Sequence, residues 1–244
     1  MNFKENRLAF LLMLIPLSLS ICAFIPHHEE FTTTGDIDSV NKIGTNGHVN
    51  FVYVRSGVTK NWYEKLALSF VYDNKINFQP VDKEEVAYEE EAEWREDAIN
   101  HAIEAAARIT HQPVTAFDDT KKRLLAETEI YTGDSFGLMV GLGLIEERTG
   151  EDFTKRGAYM IAGTGALEDD QYVGSVGAIR EKLLTAQQNN VDYFFIPKDK
   201  EWTPPGEISN QEEAERIVQE HRMKLQLVPV DTIDEALAFL RALP

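Results

Sequence analysis

From residue 125 onward, short apolar runs rich in β-branched and aromatic residues alternate with helical patterns, and this alternation constrains the fold of the 244-residue chain more than any other feature. Leu125–Tyr131 reads as a strand and Phe136–Arg148 as a helix. Ala158–Thr164 and Tyr172–Val173 are strand-like, Val176–Gln188 is helical and Tyr193–Ile196 is a strand. Glu212–His221 is a helix, Leu225–Val230 a strand and Thr232–Leu243 a last helix. No internal repeat is visible. The pattern predicts a mixed α and β domain with a closely packed second half.

Upstream, Val49–Arg55 reads as a strand and Asn61–Phe70 as a short helix. Val86–Ile109 carries an alanine and isoleucine stripe at helical spacing and ends before Gln112-Pro113. Thr110–Arg123 lacks periodicity and reads as an internal boundary, and the polar, glycine-punctuated residues 26–47 read as a tether. From Asp82 to Asp97 there are nine acidic residues. They lack the glycine spacing of a calcium loop and suit a helix N-terminus, so they read as a solvated face.

The chain has 24 Lys and Arg against 41 Asp and Glu, a formal charge of −17. Phosphate-backbone binding needs clustered positive charge, so a nucleic-acid partner is excluded. A single cysteine, Cys22, excludes a disulfide framework and multi-cysteine metal sites. No metal and no cofactor is expected.

Leu8–Ile25 has no charge over 18 residues and follows Lys4 and Arg7. It is just long enough to span a bilayer, and the preceding basic residues would leave everything after it outside the cell. A cleaved signal peptide with Ser18 and Ser20 before the cut, or a lipoprotein signal ending at Cys22, are the alternatives. All three export the body, which carries −18 without residues 1–25.

Two segments could carry chemistry. Thr132-Gly133-Asp134-Ser135-Phe136-Gly137 places a serine between a strand pattern and an apolar helix pattern. Such a junction presents a hydroxyl beside backbone N–H groups, although Asp and Ser are also ordinary helix caps. In Val176–Gln188, Lys182 lies one turn from Ala178, Ile179 and Ala186 and so shares the apolar face, while Arg180, Glu181, Gln187 and Gln188 take the wet side. A buried lysine has a lowered pKa and can act as a base; the alternative is a lysine that snorkels to solvent. A serine with a lysine base suggests amide hydrolysis without histidine. None of the six histidines has a comparable setting.

These residues resemble the proteolytic domain of Lon-type peptidases over about Leu125–Leu243. The matching segments are Gly133-Asp134-Ser135, Ile161-Ala162-Gly163-Thr164-Gly165, Gly177 to Lys182, and Phe194-Phe195-Ile196-Pro197. The resemblance implies an α+β fold (ribosomal protein S5 domain 2-like) of mixed sheets with packed helices, plus an N-terminal α/β part. It implies a Ser135–Lys182 dyad supported by Thr164, which in the family helps orient the lysine, and by Asp134, Gly133 and Gly177. In the family the lysine stands five residues after the first glycine of a Gly-Gly pair, here Gly177-Ala178. The family also has a small residue after the serine, where this chain has Phe136.

More weakly, the upstream part resembles membrane-anchored, extracytoplasmic Lon-like peptidases of Gram-positive bacteria. Those carry a PDZ domain in the place occupied here by Thr110–Leu124, and no GxxxxGK[ST] phosphate loop occurs in the chain. The expected organisation is an anchor or signal peptide (1–25), a tether (26–47), an N-terminal α/β part (48–109), a linker (110–124) and a Lon-like domain (125–244). The expected function is an ATP-independent serine endopeptidase. It would be single-pass in the cell membrane with the catalytic domain outside, or secreted. It would act on peptides or proteins, touch membrane only through its N-terminal segment, and be able to oligomerise. An inactive surface-tethered binding or adaptor protein is the second reading, and an acidic metal-binding surface protein the third.

Overall fold

The computed structural model describes residues 12–18, 20–21, 23–81, 88–199 and 208–244, with the backbone alone at 88–91. By contact the chain divides into two compact units, Met1–Thr33 with Arg55–Glu84, and Thr34–Val54 with Glu85–Pro244. Strands β1 (Glu29–Ser39) and β2 (Asn50–Val58) each contribute residues to both units.

In the first unit, β1 pairs antiparallel with β3 (Ile76–Pro80), Glu29 opposite Pro80 and Thr33 opposite Ile76. Helix α1 (Trp62–Tyr72) starts at Asn61, whose side chain accepts from the Glu64 N–H at 2.9 Å. The only buried side chains among the described residues of this unit are two threonines, Thr33 and Thr59. Thr59 Oγ1 accepts from the Glu29 N–H and lies 3.1 Å from the His27 carbonyl.

The second unit is a layered α/β body. Its sheet runs β1-β2-β4-β7-β8, where β4 is Ile161–Gly163, β7 Tyr193–Pro197 and β8 Gln226–Val230. The pairs β2–β4, β4–β7 and β7–β8 are parallel. A two-stranded hairpin, β5 (Ala166–Leu167) with β6 (Val173–Gly174), stands apart. Strand side chains alternate between two cores, as the two-residue period requires. Phe51, Ile161 and Phe195 face the helices α2 (Tyr88–Thr110), α4 (Gly137–Thr149) and α7 (Ile233–Ala242). Val52, Ala162, Phe194 and Ile196 face α5 (Ile179–Gln188) and α6 (Asn210–His221). Strands covered on both faces are the reason these segments read as continuous apolar runs.

Small residues let α2 and α4 approach. Ala98, Ala102, Ala105 and Ala106 are at most 1% exposed. A Cβ at Gly141 of α4 would lie 2.8 Å from Ile233 Cδ1 and 3.7 Å from Ala102 Cα.

Several sequence expectations are corrected. Leu125–Tyr131 is not a strand: helix α3 (Asp118–Glu127) occupies its first half and a turn follows. Leu124 is buried and its carbonyl accepts from Thr128 Oγ1 at 2.6 Å, a helical i,i+4 relation. The stretch expected as a tether contains β1 and a 3-10 turn at Val40–Ile43, with Val40 and Ile43 in the core. The expected linker is packed, since Phe117 and Leu124 are fully buried. Glu181, expected on the wet side, is buried.

The first eleven residues, Cys22 and residues 82–87 lie outside the described set, so the basic flank Lys4 and Arg7, the start of the apolar run and the start of the acidic run do too. Among the described residues no helix is long and apolar enough to cross a membrane.

Candidate active site

The site forms where the parallel strand β4 ends. Thr164 and Gly165 follow β4, Ser135 lies just before α4, and Lys182 lies in the first turns of α5. Carboxyl ends of parallel strands are where α/β sheets open to ligands.

Two backbone hydrogen bonds join the serine segment to the strand end: Gly165 N–H donates to the Ser135 carbonyl at 2.8 Å, and Leu138 N–H donates to the Gly165 carbonyl at 3.0 Å. Strand β7 fixes the other side, its Phe195 carbonyl accepting from Thr164 N–H at 3.0 Å. Glycine is required at 163, where a Cβ would come within 2.6 Å of Phe195 Cβ and 2.8 Å of Met139 Sδ.

Lys182 is 4% exposed, so the snorkelling alternative is not what the fold adopts. Its ammonium nitrogen lies 3.0 Å from Thr164 Oγ1. The same hydroxyl lies 3.0 Å from the Ser135 carbonyl oxygen, to which it donates. Burial pushes the lysine pKa down to about 8 from 10.5, against the opposing pull of the Asp134 carboxylate. Burial likewise raises the Asp134 pKa, and the Glu168 carboxylate adds to the rise while Lys182 opposes it. Thr164, Lys182 and the Ser135 backbone are thus brought together, with Asp134 close enough to feel the lysine charge. Among the described residues no hydrogen bond joins the Ser135 hydroxyl to Lys182 directly.

Neither Asp134 nor Ser135 caps α4. The capping position is Phe136 and has no side-chain cap bond; the entry turn is closed by Gly137 N–H donating to the Asp134 carbonyl at 2.9 Å. Gly133 sits at φ +78, a left-handed conformation suited to glycine. Phe136, which stands where the family has a small residue, is 4% exposed in the core, its ring centroid 6.2 Å from that of Phe51. Gly177 has open space around its Cα, whereas Ala178, at the start of α5, is held at φ 59 and ψ 37.

Two features were not read from the sequence. His101 has Nδ1 2.7 Å from the Leu167 carbonyl and Nε2 2.7 Å from Asp169, so both ring nitrogens are engaged and neither is left for a serine. His48, Glu146 and Asp152 place one possible metal-ligating atom each within 4.8 Å of one another. Their carboxylates already serve the backbone. Glu146 accepts from the N–H groups of His48, Val49 and Phe153, and Asp152 from those of Thr154 and Arg156. The only forewarning of Glu146 was a pair of acids closing an otherwise apolar helix.

No family model matches the chain. A Lon protease of Azospirillum brasilense is 24% identical over 151 residues, which cover 58% of this chain and 17% of that protein. The chain therefore spans less than a fifth of the relative's length, and the likeness supports a distant relationship to Lon proteases.

Proposed function

We propose that this chain is an exported, ATP-independent serine endopeptidase of Lon-like type, held to the membrane by its N-terminal apolar segment. The observation that carries the reading is the buried Lys182, bonded to the threonine that also holds the Ser135 carbonyl. With a pKa near 8, a useful fraction of the lysine is neutral at physiological pH and can accept a proton. Ser135 Oγ attacks the scissile carbonyl as its proton passes to Lys182 Nζ. The lysine then protonates the leaving amine, and water releases the acyl group. The N–H groups at Asp134 and Ser135 are candidates to receive the oxyanion.

The test is cleavage of an unfolded protein such as casein by the full chain and by Ser135→Ala and Lys182→Ala. Both variants are expected to lose activity with the melting temperature unchanged. Full activity in Lys182→Ala overturns the dyad.

A second reading, a silent Lon-like adaptor, is favoured by the absent direct bond between the Ser135 hydroxyl and Lys182. It expects no labelling of Ser135 by a fluorophosphonate probe. The endopeptidase reading expects labelling that depends on Lys182.

A further inference from the structure

Helix α1 of the first unit is turned with its apolar side outward. Tyr63, Leu66, Phe70 and Val71 fall on one helical stripe, and they are 60%, 54%, 87% and 73% exposed. The covered side holds Leu68 and Tyr72 together with polar groups. Lys65 pairs with Glu29, Glu64 accepts from the Lys60 N–H at 2.7 Å, and Ser69 Oγ donates to the Lys65 carbonyl at 2.8 Å. A water-facing helix keeps its large apolar side chains covered, so the outward Tyr63–Leu66–Phe70–Val71 stripe is ill suited to an aqueous surface.

We propose that α1 lies on a lipid bilayer, with the Tyr63–Leu66–Phe70–Val71 stripe in the boundary between headgroups and acyl chains. The occupant follows from what adjoins the stripe. Phe24, at the end of the uncharged Leu8–Ile25 run, stacks on Tyr63 with ring centroids 6.1 Å apart, and Phe24 is itself 68% exposed. The apolar surface of α1 is therefore continuous with the one segment of the chain whose composition suits hydrocarbon. Two aromatics, Trp62 and Tyr63, open the helix, a residue type enriched at membrane interfaces. Among the described residues the unit buries no apolar side chain, so an apolar phase outside it is what its large side chains can enter.

This inference rests on the membrane-anchor part of the reading above and not on the peptidase part. The test uses the full chain with Cys22→Ser, carrying one cysteine at Phe70→Cys and, for comparison, at Glu104→Cys, an exposed position on α2. Each is labelled with an environment-sensitive fluorophore and mixed with phosphatidylcholine–phosphatidylglycerol vesicles, which are then floated. The expected result is co-flotation, with the label at 70 quenched by brominated lipid and about fivefold or more less accessible to aqueous quencher than the label at 104. Leu66→Cys is read in parallel, in case one substitution disturbs the helix.

Co-flotation with the 70 and 66 labels as open to water as the 104 label overturns the inference and leaves the anchor standing. Failure to float overturns both. Shielding of the 70 label that is equal with and without vesicles assigns the stripe to a protein contact and overturns the bilayer.

Discussion

The Thr164 hydroxyl accepts from Lys182 Nζ at 3.0 Å while donating to the Ser135 carbonyl at 3.0 Å, so the position of the proposed base relative to the proposed nucleophile passes through one oxygen. Thr164→Val keeps the volume and removes that oxygen. Peptidase activity is expected to fall roughly tenfold or more, within the range for general-base contributions. Thr164→Ser is expected to retain most of it. Steady-state kinetics on a peptide substrate decides, and equal activity in Val and Ser would remove the positioning role.

A base with a pKa of about 8 must lose its proton before it can work. Activity is therefore expected to rise with pH through a limb near that value. The Asp134 charge opposes the lowering of the lysine pKa, so Asp134→Asn should move the limb to lower pH. The sign for stability is also fixed. Between about 8 and 10.5 the unfolded lysine holds its proton and the folded one does not, so the protein gains stability as pH rises through that window. A pH–rate profile and urea melts across that range check both.

Ala178 sits in the left-handed region at the root of the helix that carries Lys182, at the second position of the Gly-Gly pair in the resembling family. A side chain there costs about 1–2 kcal/mol, partly offset by the greater freedom glycine has in the unfolded chain. Ala178→Gly is expected to stabilise the protein by about 1 kcal/mol net, measured by chemical denaturation. A destabilised variant would show that the methyl group packs usefully.

Glu146 is 2% exposed and its carboxylate gathers three backbone N–H groups from the loops around His48 and Phe153. Removing an acceptor from buried donors costs about 1–3 kcal/mol each. Glu146→Ala should therefore lose about 3 kcal/mol or more, and Glu146→Gln less, because an amide oxygen still accepts. Addition of calcium or zinc should leave the melting temperature unmoved if the carboxylate is the structural clasp its bonds describe.

The helices were legible where one face met a core. α4, α5, α6 and α7 all fall within a few residues of the apolar periodicity, because burial wrote that period into the sequence. β1 was hidden, since EEFTTTGDIDS carries little apolar signal and its buried members include Thr33 and Thr34. Leu125–Tyr131 looked like a strand because its β-formers are few and local, while the helical partner of Thr128 is Leu124, one residue before that window.

At the site, the inward face of Lys182 could be read from spacing alone. The role of Thr164 could not, since it depends on β4 and β7 placing one hydroxyl between two segments distant in sequence. Phe136 stands where the resembling family has a small residue, and its side chain enters the core beside Phe51.

Thr33 and Thr59, the buried side chains among the described residues of the first unit, have a consequence for handling the protein. Local stability follows buried apolar contact, so the amides of α1 should exchange with solvent early in plain buffer and late once lipid or detergent is supplied. Preparations of this chain will then differ according to the amphiphile they carry, with the difference concentrated in that helix.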